Sequence, residues 1–245
     1  MVENGGTRNR RSVSESDGQS AIKYLFLNFA AVLAFGLVPA VLLLALAGRW
    51  DLWNVWAAAG IFVCWLTLQT VTIYRQEPDV LKDRMRLESG GRVRWTVARV
   101  SIPLTIVQWI IAGLDQRFHW SDIFPPAWIV AGLAIFAIGW GLFTWAAIVN
   151  PFFSPEVRIQ ADRGQRVISK GPYAIVRHPA YSSSLLYSIA TGLALNSLLS
   201  MIAAAIYVLI TIRVTAIEDR MLRDELPDYP DYVATVRYRL IPGIW

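Results

Sequence analysis

Long apolar runs dominate this chain and decide what it can fold into. Residues 24–48, 53–74, 95–114 and 127–149 are each about twenty residues or longer, enough for a helix to cross a hydrocarbon core. Two more apolar stretches, 181–196 and 198 to about 217, meet at Asn196-Ser197 and read as a helical hairpin. The first of these, at about sixteen residues, is short for a span. A bilayer offers no water to backbone polar groups, so the expected class is all-α. The architecture is a polytopic membrane helical bundle of about six spans, the last two forming the hairpin, with a polar, basic loop before it.

Composition agrees. Of 245 residues, 55% are hydrophobic and only 17% charged, and the charges fall in blocks, which argues against a soluble domain. The net charge of +5 lies in short loops between apolar runs and forms no continuous stripe, so nucleic acid is not the expected partner. Cys64 is the only cysteine and reads as apolar filler. With His119 and His178 the only histidines, no cysteine and histidine set has metal-ligand spacing, and no metal is expected.

Three regions follow. Residues 1–22 are polar and rich in Gly, Ser and Arg, a composition expected to give a disordered cytosolic tail rather than a cleavable leader. Residues 23–149 hold helices one to four, with Pro39 a kink point, and residues 150–245 form a second half of loop, hairpin and C-terminal segment. The tail, the loops at 75–94 and 150–178 and the C-terminus carry nearly all the bases, whereas the opposite connections hold Arg49 and Arg117. The positive-inside rule therefore places both termini and the polar clusters in the cytosol. Trp50, Trp53, Trp120 and Trp128 suit an aromatic belt on the far side. Gly132, Gly139 and Gly141 are small enough for close helix contact.

Residues 164–184, GQRVISKGPYAIVRHPAYSSS, concentrate the useful side chains: Gln165, Arg166, Lys170, Tyr173, Arg177, His178 and Tyr181. Pro179 disfavours helix at His178 and suits the first turn after it, which sets His178 at a loop-to-helix junction with free backbone N–H groups nearby. A second polar cluster, residues 218–226, follows one apolar hairpin later, so the two should face each other. Glu218, nearest the membrane, is placed to meet a cation held beside the loop. Residues 219–225 alternate in sign and read as a solvated helical face. Arg213 sits at the cytosolic end of the last apolar helix, and Arg237 and Arg239 lie in a Tyr- and Arg-rich ending that either closes a pocket or anchors the C-terminus.

Three motifs in order resemble the isoprenylcysteine carboxyl methyltransferase family of integral membrane methyltransferases, especially its bacterial members. They are G-P-Y-x3-R-H-P-x-Y at 171–181, E-D-x-x-L at 218–222 and Y-x3-V-R-Y-R-L-I-P-G-I-W at 232–245, together covering roughly the last hundred residues. The resemblance implies S-adenosylmethionine as cofactor and a lipophilic acceptor entering from the bilayer, most naturally a carboxylate on a prenylated thiol. It also implies a bacterial inner-membrane protein. Carried over by position, Gln165, Arg166, Val167 and Ile168 look like the family's backbone cradle for the cofactor and Tyr173 like its contacting tyrosine. His178, Pro179, Ala180 and Tyr181 look like the central binding loop, and Glu218 like the acid that meets the cofactor. Gln165 stands where the family often has His, and Ser183 where it has Gly. Eukaryotic members place a substrate-binding Arg one turn before the acid, whereas Arg213 lies five residues before Glu218, about 100° from that direction.

The implied chemistry asks for alignment and exclusion of water. A carboxylate acceptor needs only a cation such as Arg213, Arg237 or Arg239 to orient it, and Arg213 and Glu218 are the residues expected at the reacting end. An ammonium acceptor, as on a phospholipid head group, needs a base, and Glu218 is the one available. The RHPxY turn and the ending also look like the NADPH-dependent membrane sterol reductases, which are longer. A non-catalytic scaffold leaves the gathering of tyrosine, histidine and acid without a purpose. Oligomeric state is not legible.

Overall fold

A computed structural model describes residues 5–77, 79–80, 97–121, 123–154 and 159–245. Its helices are α1 (Gly5–Ala47), α2 (Trp53–Gln76), α3 (Val97–Phe118), α4 (Pro126–Val149), α5 (Pro179–Ala194), α6 (Ser200–Glu225) and α7 (Tyr229–Thr235), with short 3-10 turns at Ala161–Arg163 and Gly171–Ala174. Among the described residues there is no strand, as the apolar periods required. Four segments are long and apolar enough to cross a membrane: Ile22–Ala47, Trp53–Gln76, Pro126–Val149 and Ser200–Glu225. α3 and the 16-residue α5 complete the bundle between them.

The tail differs from expectation. α1 begins at Gly5, so residues 5–22 continue the first helix, while residues 1–4 lie outside the described residues. Extending an existing helix adds one hydrogen bond per residue without a new nucleus, and no proline interrupts the sequence before Pro39, which stays inside α1. Most of the basic loop expected at 75–94, and Arg158, also lie outside the described residues.

Each long helix makes its principal contacts with two others, in the circular order α1, α2, α4, α5, α6, α3 and back to α1. The closest approach is α4 on α5. A Cβ on Gly132 would sit 2.6 Å from the Ala194 nitrogen, and one on Gly139 2.8 Å from Tyr187 Cβ, so only glycine lets these two backbones touch. Polar side chains buried in the bundle use backbone carbonyls: Asn54 Nδ2 donates to Ala194 O at 2.8 Å and Gln108 Nε2 to Ser188 O at 2.9 Å. At the hairpin turn Asp115 accepts from the Ser121 N–H and from the Ser121 and Ser197 hydroxyls, tying the end of α3 to Asn196-Ser197. The ring leaves an apolar cavity of about 490 Å³ at its centre, lined from all six long helices, including Pro39, Phe62, Trp109, Trp140 and Thr191. Trp50, Trp53, Trp120 and Trp128 are exposed near helix ends, as an interfacial belt requires.

Candidate active site

The loop between α4 and α5 is shaped by its own side chains. The Gln160 N–H donates to Gln165 Oε1, and Gln160 Nε2 to Phe152 O, both at 2.6 Å; Arg163 Nη1 reaches Gln160 Oε1 at 2.7 Å. Gly164, at φ 61°, makes the turn that returns Gln165 to Gln160. Gly171-Pro172 then opens the second 3-10 turn, and His178 precedes Pro179, the first residue of α5. The His178 side chain does not cap that helix; it turns toward Asp219 and Tyr229.

Asp219 is the hub of the site. Completely buried, it accepts from Arg177 Nε at 2.7 Å, Arg239 Nε at 2.8 Å, the Tyr229 hydroxyl at 3.1 Å and Arg223 Nε at 3.2 Å, with His178 Nε2 at 3.4 Å. Arg177 spends Nη1 on the carbonyls of Val236 and Arg237. The backbone repeats the connection: Arg177 N–H donates to Tyr238 O and His178 N–H to Arg239 O, each at 2.9 Å. The Ser182 hydroxyl reaches Leu240 O and the Tyr232 hydroxyl Tyr173 O, both at 2.6 Å. The C-terminal segment is thus a strap across the loop. Burial, then the Asp219 charge, pushes the Tyr229 phenol far above its usual range; burial, then Tyr173, does the same for Tyr232, so both remain neutral donors.

Beneath the strap lies a cavity of about 340 Å³. Gln165, Arg166, Val167, Ile168, Tyr173, His178, Pro179, Ala180, Tyr181 and Glu218 all line it. Its acid is tethered, because the Tyr181 hydroxyl donates to Glu218 Oε2 at 2.6 Å. The volume lies in the range of small-molecule sites, and a carboxylate among aromatic rings suits a compact cation.

The arginines expected at the acceptor are elsewhere. Arg213 and Arg237 are exposed and outside the cavity, and Arg239 is held by Asp219 with its guanidinium 4.8 Å from the Trp245 ring centre. The helix explains Arg213: five residues at about 100° each set it about 140° from Glu218, so when Glu218 faces in, Arg213 faces out. Asp219 is the opposite case, read from its neighbours as solvated. Its phase was nonetheless visible, because Tyr207, Thr211, Thr215, Asp219 and Leu222 follow a three-four spacing and form the buried face of α6. Sequence reasoning also missed Asn150, Phe153, Tyr187 and Tyr207 as lining residues.

Residues 127–227 match the family model described as phospholipid methyltransferase. Over this segment the chain is similar to the phospholipid methyltransferase family. It is a membrane methyltransferase. The methyltransferase segment runs from α4 to just past α6, so it holds all ten expected cofactor residues together with Asp219, while Tyr229, Tyr232 and the strap fall beyond it. The whole fold is similar to that of the eukaryotic intramembrane Ras methyltransferase isoprenylcysteine carboxyl methyltransferase, solved without a monobody. The TM-score is 0.52 at 18% identity, over 98% of this chain and 88% of that one. At that identity the likeness is one of fold. No curated protein matches the sequence significantly.

Proposed function

We propose that this methyltransferase moves a methyl group from S-adenosylmethionine to a lipophilic acceptor arriving from the bilayer, a carboxylate on an isoprenylcysteine-like molecule. The observation that carries the reading is the meeting of two unlike cavities. One is walled by the polar loop and Glu218, the other by apolar side chains of six helices, and Ile102, Tyr187 and Tyr207 line both. A charged cofactor and an apolar chain bound in the two would bring their reactive ends to the common wall.

S-adenosylmethionine supplies a methyl already activated on a sulfonium. The protein's share is binding, orientation and dryness. Gln165 to Ile168 offer a backbone edge, Tyr173 and Tyr181 offer ring faces, and Glu218, fixed by Tyr181, offers the countercharge. His178 and Arg177 hold the strap closed through Asp219 and the backbone of Tyr238 and Arg239, which keeps water from the loop side. Both termini and the site face the cytosol in this reading, and the membrane is the bacterial inner membrane.

A second reading, methylation of a phospholipid amine, is favoured by Glu218: it is the cavity's carboxylate, and an ammonium acceptor must lose a proton. The first test is equilibrium binding of S-adenosylmethionine, S-adenosylhomocysteine and NADPH to the detergent-purified protein. Binding of the first two with none of NADPH is expected, and NADPH binding alone would overturn the reading. Radiolabelled methyl offered to N-acetyl-S-farnesyl-L-cysteine and to phosphatidylethanolamine vesicles then separates the two acceptors.

A further inference from the structure

The common wall of the two cavities holds two phenols that sequence motifs did not single out. Tyr187 of α5 and Tyr207 of α6 line both spaces. Tyr207 is 7% exposed. Tyr187 is held rigidly: its ring stacks on Trp140 with centroids 4.4 Å apart and planes 13° apart, and it meets Phe136 and Phe143 edge-on. Along α5 it lies about 9 Å deeper than Tyr181, which marks the tethered acid. Tyr181, Tyr187 and Tyr207 all line the cavity that holds Glu218, and the last two also line the apolar one.

A carboxylate drawn to this wall leaves water, and it does so only where donors replace its hydration. Arg213 faces out, Arg177 and Arg239 are committed to Asp219, and Arg166 lines the polar cavity but not the wall shared with the apolar one. Each phenol carries one O–H that can donate. A phenol donating to a carboxylate oxygen makes a short charge-assisted bond without a second charge at the site.

We propose that the Tyr187–Tyr207 pair is the positioning site for the acceptor's carboxylate, doing with a neutral hydrogen bond what a guanidinium was expected to do. The proposal rests on the carboxylate reading above. It also accounts for the position of the pair, at the boundary where a polar head must stop while its apolar chain continues among the six helices.

The test uses the full chain in detergent without cofactor, with N-acetyl-S-farnesyl-L-cysteine and its methyl ester as probes. Wild type should bind the acid about tenfold to a hundredfold tighter than the ester. Tyr207→Phe and Tyr187→Phe keep the rings and should bring that ratio toward one. An unchanged ratio in both variants, or no preference in wild type, overturns the proposal. Preferential binding of phosphatidylethanolamine over the acid also overturns it, in favour of the amine reading. Failure of wild type to bind S-adenosylhomocysteine counts instead against the cofactor reading, since the acid and ester comparison does not involve it.

Discussion

Arg177 and Asp219, 42 residues apart, are joined by two hydrogen bonds, Nε to Oδ1 at 2.7 Å and Nη2 to Oδ2 at 3.3 Å, with both side chains buried. This pair fixes the loop before α5 to the end of α6, and through Arg239 it fixes the C-terminal strap as well. Removing the acid leaves two buried or half-buried guanidiniums without their partner. Asp219→Ala should therefore cost about 3–5 kcal/mol and lower the melting temperature in detergent, while Asp219→Asn, which keeps an acceptor, should cost less. Cofactor affinity should fall with stability in Asp219→Ala. An unaltered melting curve would remove the hub from the account.

His178→Ala and Glu218→Ala act on the cavity rather than on the bundle. Each is expected to abolish binding of S-adenosylhomocysteine while the protein still inserts and runs as a sharp peak in gel filtration. Affinity equal to wild type in both variants would refute the site assignment.

Arg213→Ala is expected to be quiet. The side chain faces away from Glu218 and from both cavities, so acceptor KM and cofactor affinity should stay within about threefold of wild type. A loss of tenfold or more in acceptor kcat/KM would mean that α6 rotates on substrate binding.

The α4–α5 contact predicts opposite results for two glycines. Gly139→Ala puts a methyl 2.8 Å from Tyr187 Cβ and 3.0 Å from its nitrogen, and overpacking against backbone costs about 1–3 kcal/mol. Because the displaced residue is Tyr187, acceptor binding should weaken too. Gly60→Ala meets nothing within 4 Å inside α2 and should be neutral or stabilising by about 0.5–1 kcal/mol. Thermal melts of the pair decide it.

Tyr229 sets an alkaline limit. Its folded phenol keeps its proton far above the unfolded value of about 10, so stability is fully present below that pH and declines above it, as the unfolded chain releases protons the folded one retains. Melting temperature should fall more steeply between pH 10 and 11.5 in wild type than in Tyr229→Phe, with the Phe variant less stable at neutral pH for want of its bond to Asp219. Identical slopes would exclude Tyr229 as the titrating group.

By itself the sequence determined the class of fold and picked out ten residues that line one cavity. Apolar length and the lack of water in a bilayer allow little but helices, and the position of Pro179 fixes where the loop ends and α5 begins. The ten residues expected around the cofactor lie close together along the chain or on the next helix, which is why local motifs could collect them. Only the tertiary structure decided what long-range contacts do. Asp219 reads as a surface acid among alternating charges until α6 is rotated against the loop and three arginines converge on it. Tyr187 and Tyr207 read as ordinary membrane-helix tyrosines until the ring of helices sets them on one wall between two cavities. Arg213 was one residue out of phase, a small offset in sequence that a helix turns into the opposite face. Hydropathy states how far a segment lies from water; which of its sides meets which neighbour depends on close contacts such as Gly132 on Ala194, which no single segment encodes.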